Sequence, residues 1–155
     1  RMTEFSGAWS REEVEAFLAE ATVPIRIAVN RPDETVWIVA LWFRFHDEGF
    51  ECATWANAAV VRFLRHDSEV GFDVSTNEPP YRGVRGTGTA SLAPDRDKRA
   101  LASLIERYLG GTESGLARWL LEDDREEVRI HIHPRECYSW DYTERMRGVV
   151  QPTQQ

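Results

Sequence analysis

Hydrophobic and polar positions change period several times along this chain, and each change marks an element. Ser10-Arg11-Glu12-Glu13 has the Ser-x-x-Glu form of a capping box, in which each side chain satisfies a backbone donor that the helix start leaves open. Val14, Phe17 and Leu18 follow at helical spacing and predict an amphipathic helix over about 11–21, ended by Pro24. Ile25 to Val29 reads as a strand, and Asn30 to Glu34 as a turn. Thr35 to Phe45, rich in β-branched and aromatic residues, predicts a second, long strand. His46-Asp47-Glu48-Gly49 turns the chain into a third strand, Phe50 to Thr54. From Trp55 the period becomes helical again, with Ala59, Phe63 and Leu64 on one side, up to about His66.

The second half repeats the alternation. Val70 to Val74 is a strand, and Tyr81 to Leu92 a longer one, bent or bulged near Gly83, Gly86 and Gly88. Asp95 to Leu109 is helical and stops at Gly110-Gly111, and a second helix covers about 113–121. Glu127 to His133 alternates strictly, with Val128, Ile130 and Ile132 on one face and Arg129, His131 and His133 on the other. Pro134 is expected to break this strand, and Cys137 to Tyr142 to form the last one. Six or seven mostly antiparallel strands joined by hairpins predict a mainly β (α+β) domain, a small closed barrel with helices packed outside.

Composition narrows the function. A chain of 155 residues, 42% hydrophobic and 29% charged, fits one soluble domain. The pattern divides it into an N-terminal extension (1–9), the barrel domain (10–146) and a tail (147–155) expected to be disordered. No apolar run reaches the ~20 residues of a membrane span, and no signal-peptide pattern is visible. The two cysteines are too few for a disulfide framework, so a cytoplasmic location is expected. A net charge of -7 argues against nucleic acid and anionic membranes, leaving small molecules and protein partners.

Motif chemistry is sparse. Gly83, Gly86 and Gly88 lie within a strand pattern and are no dinucleotide fingerprint. His131 and His133 form a His-x-His pair, but only His66 and Cys137 offer further soft ligands and nothing brings them together, so no metal is expected. Cys52 and Cys137 read as small buried hydrophobes. The run Glu122-Asp123-Asp124 with Glu126-Glu127 reads as a solvated turn, and no Ser-His-Asp or Cys-His arrangement supports hydrolysis.

Four segments, in order, carry a family resemblance: Arg26-Ile27-Ala28-Val29; Val39 to Phe43 with Phe50 to Thr54; Pro79 to Val84 with Gly88-Thr89-Ala90; and Arg129 to Pro134 with Ser139-Trp140-Asp141. The set resembles the pyridoxamine 5'-phosphate oxidase-like FMN-binding split β-barrel superfamily. The resemblance implies a six-stranded antiparallel split barrel that forms a homodimer, with cofactor sites at the subunit interface. It places a flavin ring against Arg26, Ala28 and Val29 and against Leu41, Trp42 and Phe43, and the phosphate near Thr54, Asn57 and Arg62 at the start of the following helix. Arg82 and Trp140 are further expected cofactor contacts. In such proteins the flavin supplies the redox chemistry, so no catalytic acid or base is nominated.

One segment departs from the pattern. The phosphate motif has a hydroxyl and a basic pair where this chain has Ala58, Ala59 and Val60. Trp55 at the helix entry could occupy the space of a phosphate, or be a surface tryptophan. Three readings follow: an FMN-dependent oxidoreductase acting on a small organic substrate, a protein using the deazaflavin coenzyme, or a cofactor-free dimeric binding protein.

Overall fold

A computed structural model describes residues 2–122 and 124–149. Eight strands and four helices follow one another: β1 (Glu4–Gly7), α1 (Arg11–Glu20), β2 (Ile25–Asn30), β3 (Val36–Leu41), β4 (Arg44–His46), β5 (Gly49–Trp55), α2 (Ala59–His66), β6 (Glu69–Ser75), β7 (Arg82–Pro94), α3 (Arg99–Leu109), α4 (Gly115–Glu122) and β8 (Glu127–Asp141). The capping box forms as expected, with Glu13 N–H donating to Ser10 Oγ and Ser10 N–H donating to Glu13 Oε1. Gly110, at φ 75°, ends α3 in the left-handed conformation that glycine adopts without strain.

The strands form one sheet in the order β3-β2-β6-β7-β8-β5-β4, with every neighbour antiparallel. Its end strands, β3 and β4, are not hydrogen-bonded to each other, yet only Trp42 and Phe43 separate them in the chain. Two residues span at most ~10 Å, so the sheet must curl until its ends meet: an open-seamed barrel rather than the closed one expected from the pattern. Inside lie Phe43, Phe50 and Phe72, with ring centroids 5.7 Å apart for the first pair and 4.8 Å for Phe50 and Phe72, surrounded by Ile25, Ile27, Val74, Val84, Ile130 and Ile132.

Three departures from the sequence expectation have physical causes. The strand expected over 35–45 breaks at Trp42-Phe43, because Phe43 is fully buried and its N–H donates to the Tyr108 hydroxyl instead of a strand partner. Pro134 does not end β8. The ladder shifts register there, so that Thr87 pairs with Glu136 and Gly88 with Pro134, and the bulge leaves the missing N–H without a ladder partner to serve. The N-terminal residues, expected to lie outside the domain, form β1, which runs parallel to 136–139 of β8. The strand count is therefore eight rather than six. Of the expected tail, residues 150–155 lie outside the described residues.

Helices pack on the outside. The guanidinium of Arg107 on α3 donates to the carbonyls of Leu18, Ala19 and Ala21, closing the C-terminal end of α1. Tyr108 ties the same helix to the barrel seam: its hydroxyl accepts from Phe43 N–H at 3.1 Å and donates to Val23 C=O at 3.0 Å. Burial raises the Tyr108 pKa, while the bond from Phe43 and the Arg107 charge pull the other way, so the hydroxyl stays protonated and able to donate.

Phe50→Ala is expected to cost about 3–5 kcal/mol of stability, the usual range for emptying a phenylalanine site, read from denaturant unfolding. Tyr108→Phe strips one bond from each of Phe43 and Val23. It should cost about 1–3 kcal/mol in the same assay, with the excess over a surface control measuring the hold of α3 on the seam.

Candidate functional site

Two clefts flank the edge strand β3. The larger, about 680 Å³, lies across the outer face of the sheet. Its floor is a pair of cross-strand rows set by register: Arg26, Asp73, Arg85 and Tyr138 in one, Ile38, Ala28, Gly71, Thr87 and Glu136 in the other. Charges alternate along the first row. Apolar side chains stand out at the edge, with Val36 61% and Ile38 65% exposed. The guanidinium of Arg85 lies 4.7 Å from the Tyr138 ring centroid and 5.5 Å from that of Trp140, a cation–π arrangement.

The second cleft, about 410 Å³, is narrower and more aromatic. The end of β3 contributes Ala40, Leu41 and Trp42; β5 contributes Ala53, Thr54 and Trp55; Leu101, Leu116 and Leu120 from α3 and α4 form the opposite wall, with Arg125 and Glu127 at one end. Trp42 stacks on Tyr108 at 5.2 Å with the planes 9° apart, and this fixes its orientation. Arg125 lies 5.5 Å from the rings of both Trp55 and Trp119. The two clefts adjoin at β3, where Ala40 stands directly opposite Arg26.

Beyond Trp55 a tight turn, Ala58 N–H to Trp55 C=O, leads into α2. Ala58 is the N-cap and brings no side-chain hydrogen bond, so the start of α2 lacks the capping that Ser10 gives α1. Arg62 is the nearest helix cation and donates to the Asn57 carbonyl at 3.1 Å. A helix start of this kind offers N–H groups and a partial positive charge to an anion.

The expected site residues divide between these places. Leu41, Trp42 and Thr54 line the second cleft, and Arg26 and Ala28 the first. Val29 and Phe43 turn their side chains into the core, so only their backbone could meet a ligand. Asn57 and Arg62 are exposed at the α2 entry. Arg82 lies 5.9 Å from the Phe17 ring, and Trp140 lies beside Arg85. Tyr108, Leu116, Leu120 and Arg125 escaped notice in the sequence: the first three look like ordinary helix residues, and Arg125 sits in what reads as an acidic turn. Only the packing of α3 and α4 over β5 gives them their place.

Other chemistry recedes. Among the described residues, no three His, Cys, Asp or Glu side chains group to hold a metal ion. Burial raises the Cys52 thiol far above neutrality and pushes Cys137 up to about 12, so both thiols stay protonated and inert as nucleophiles at neutral pH. Among the described residues, no helix is long and apolar enough to cross a membrane.

No family model and no curated protein matches the chain. Solved structures do. A conserved hypothetical protein from Mycobacterium tuberculosis is 22% identical with a TM-score of 0.72, the alignment covering 100% of this chain and 96% of that one. An F420 reductase is 23% identical over 77% of this chain and 92% of its own, with a TM-score of 0.66. A protein assigned as a pyridoxamine 5'-phosphate oxidase from Listeria innocua is 16% identical over 83% and 95%, with a TM-score of 0.64. At this level of identity the likeness is one of fold: the chain shares the split-barrel fold of these structures.

Proposed function

We propose that this protein binds a flavin-type cofactor, FMN or its deazaflavin relative, in the aromatic cleft between β3, β5 and α4, and uses it for redox chemistry on a small organic substrate. The observation that carries the reading is the slot itself. Ala40 and Ala53 leave space where larger side chains would fill it, Trp42 is held flat by Tyr108, and leucines close the far wall. Such a slot suits a planar ring that is mostly apolar with a few polar edges. The phosphate end has a poorer fit but not an empty one. The Thr54 hydroxyl has no hydrogen-bond partner among the described residues, and the uncapped start of α2 and Arg62 lie one turn further on. The fold neighbours, which include an F420 reductase, support the same choice of ligand class.

When bound, the flavin carries the hydride or electron transfer. The chain's own part is to bind and orient the ring, with Trp42 and Leu41 on one side and Leu116 and Leu120 on the other, and to keep water from it. No side chain in the cleft is assigned as acid or base.

The functional unit is proposed to be a homodimer joined through the outer face of β3 and its neighbours. Val36 and Ile38 expose an apolar strip there, and the adjacent row Arg26, Asp73, Arg85 alternates in sign, a pattern that a two-fold copy can answer. This face also holds the larger cleft, so the partner would cover it.

Titration of the purified protein with FMN, and separately with the deazaflavin coenzyme, is expected to give saturable binding at micromolar concentration or tighter, followed by ligand fluorescence. Ala40→Trp should abolish binding. Arg62→Ala should weaken it about 10- to 100-fold, the loss of one charge-assisted bond of about 1.5–3 kcal/mol. A folded protein that binds neither cofactor would leave the cofactor-free binding module as the reading. Light scattering is expected to give twice the chain mass, and Ile38→Glu to return it to the monomer.

A further inference from the structure

A third cavity, outside the proposed cofactor slot, holds an unusual concentration of positive charge. About 460 Å³ in volume, it lies on the other flank of the α3 start, between β4, β5, β8 and the end of β7. Four arginines line it, Arg44, Arg96, Arg99 and Arg129, against two carboxylates, Glu51 and Asp95. The formal surplus is two positive charges, in a chain whose net charge is -7.

Neither carboxylate is available to neutralise the surplus. Asp95 Oδ1 accepts from Ala100 N–H at 2.9 Å and Oδ2 from Leu101 N–H at 3.0 Å, so both oxygens are committed to the first turn of α3. Glu51 is committed to the other pair. Its side chain is only 3% exposed; Oε1 accepts from Arg44 Nε at 2.7 Å, and Oε2 lies 3.6 Å from Arg129 Nη1. A buried carboxylate is costly to hold and is a weak source of stability. What it does supply is position: it fixes two guanidinium groups on strands either side of β5 and leaves that trio one positive charge in excess. Arg96 and Arg99 are exposed and make no side-chain hydrogen bond or ion pair among the described residues. A merely solvated patch of arginines would need no buried anchor beneath it.

We propose that this cavity is a second binding site, for a small organic molecule bearing two or more negative charges as phosphate or carboxylate groups. The forked, planar donors of arginine match both groups. The volume lies within the range of small-molecule sites and exceeds what a single inorganic ion needs. Glu51 sets the orientation of Arg44 and Arg129 as the floor of the site, and Arg96 and Arg99 close over the bound anion from the α3 side. The site is separate from the cofactor slot, which lies past Leu101 on the opposite flank, and it does not depend on the cofactor reading.

The test is calorimetric titration of the full-length protein with pyrophosphate, inorganic phosphate and citrate at fixed ionic strength. Saturable one-site binding of pyrophosphate or citrate, unchanged in the presence of saturating FMN, is expected; which of the two binds tighter identifies phosphate or carboxylate as the group recognised. Arg96→Ala and Arg99→Ala remove exposed side chains without other contacts and should each weaken binding about tenfold, while Arg65→Ala, an exposed charge on α2, should leave it unchanged. Absence of saturable binding for all three anions, an equal loss in Arg65→Ala, or competition by FMN would each overturn the proposal.

Discussion

The pairing of β7 with β8 is the contact on which the other elements hang. The ladder runs from Arg82 opposite Asp141 to Pro94 opposite Val128, and the free edge of β8 is then shared by two strands: β5 along 127–132 and β1 along 136–139. Hydrogen bonds made in mid-sheet exclude water and are backed by residues from both halves of the core. The close approach has a steric condition at Gly86. A Cβ there would lie 1.9 Å from the Glu136 carbonyl oxygen and 2.8 Å from the Phe72 ring, so any larger residue would push the two strands apart at the bulge.

From that spine the cavities follow. Curling the sheet until β3 and β4 meet turns the alternate residues outward, and the outward residues of β5 and β8 need cover. The helix α3 lies over them, held by Tyr108 at the seam and by Arg107 on α1. Its start divides the covered strip in two. On one flank Ala53, Trp55 and Trp42 make an aromatic slot; on the other, Glu51, Arg44 and Arg129 make a cationic one. One helix placement thus creates two neighbouring clefts of opposite character.

Much of the fold was legible because period and punctuation agree locally. The Ser10 capping box, the alternation of 127–133 and the Gly110 stop each act over a few residues, and each forms. Elements that depend on distant partners were not legible. Residues 4–7 have no alternation to announce a strand and become one only beside Tyr138. Nothing near Trp42-Phe43 says that Tyr108, far along the chain, will take the Phe43 N–H and break the strand. Pro134 misled because its ordinary effect is local, whereas the bulge that accommodates it, with Arg135 as the extra residue on β8, shows only in the register against β7. The site follows the same division. Leu41, Trp42 and Thr54 came from the family resemblance of their strands, while the far wall, Leu116, Leu120 and Arg125, depends on how α4 is laid down.

The position of β8 also bears on how the chain is made. Its residues are nearly the last of the domain, yet they lie in mid-sheet, with β7 on one side and both β5 and β1 on the other. As the polypeptide leaves the ribosome, β2, β3, β6 and β7 can assemble, but β4, β5 and β1 have no sheet to join until the C-terminal quarter emerges. Closure joins residues 4–7 to 136–139, almost the full length of the chain, and such distant pairings form slowly. Folding on the ribosome therefore cannot proceed strand by strand, and until β8 arrives one edge of β7 is left unpaired, a template for pairing with other chains.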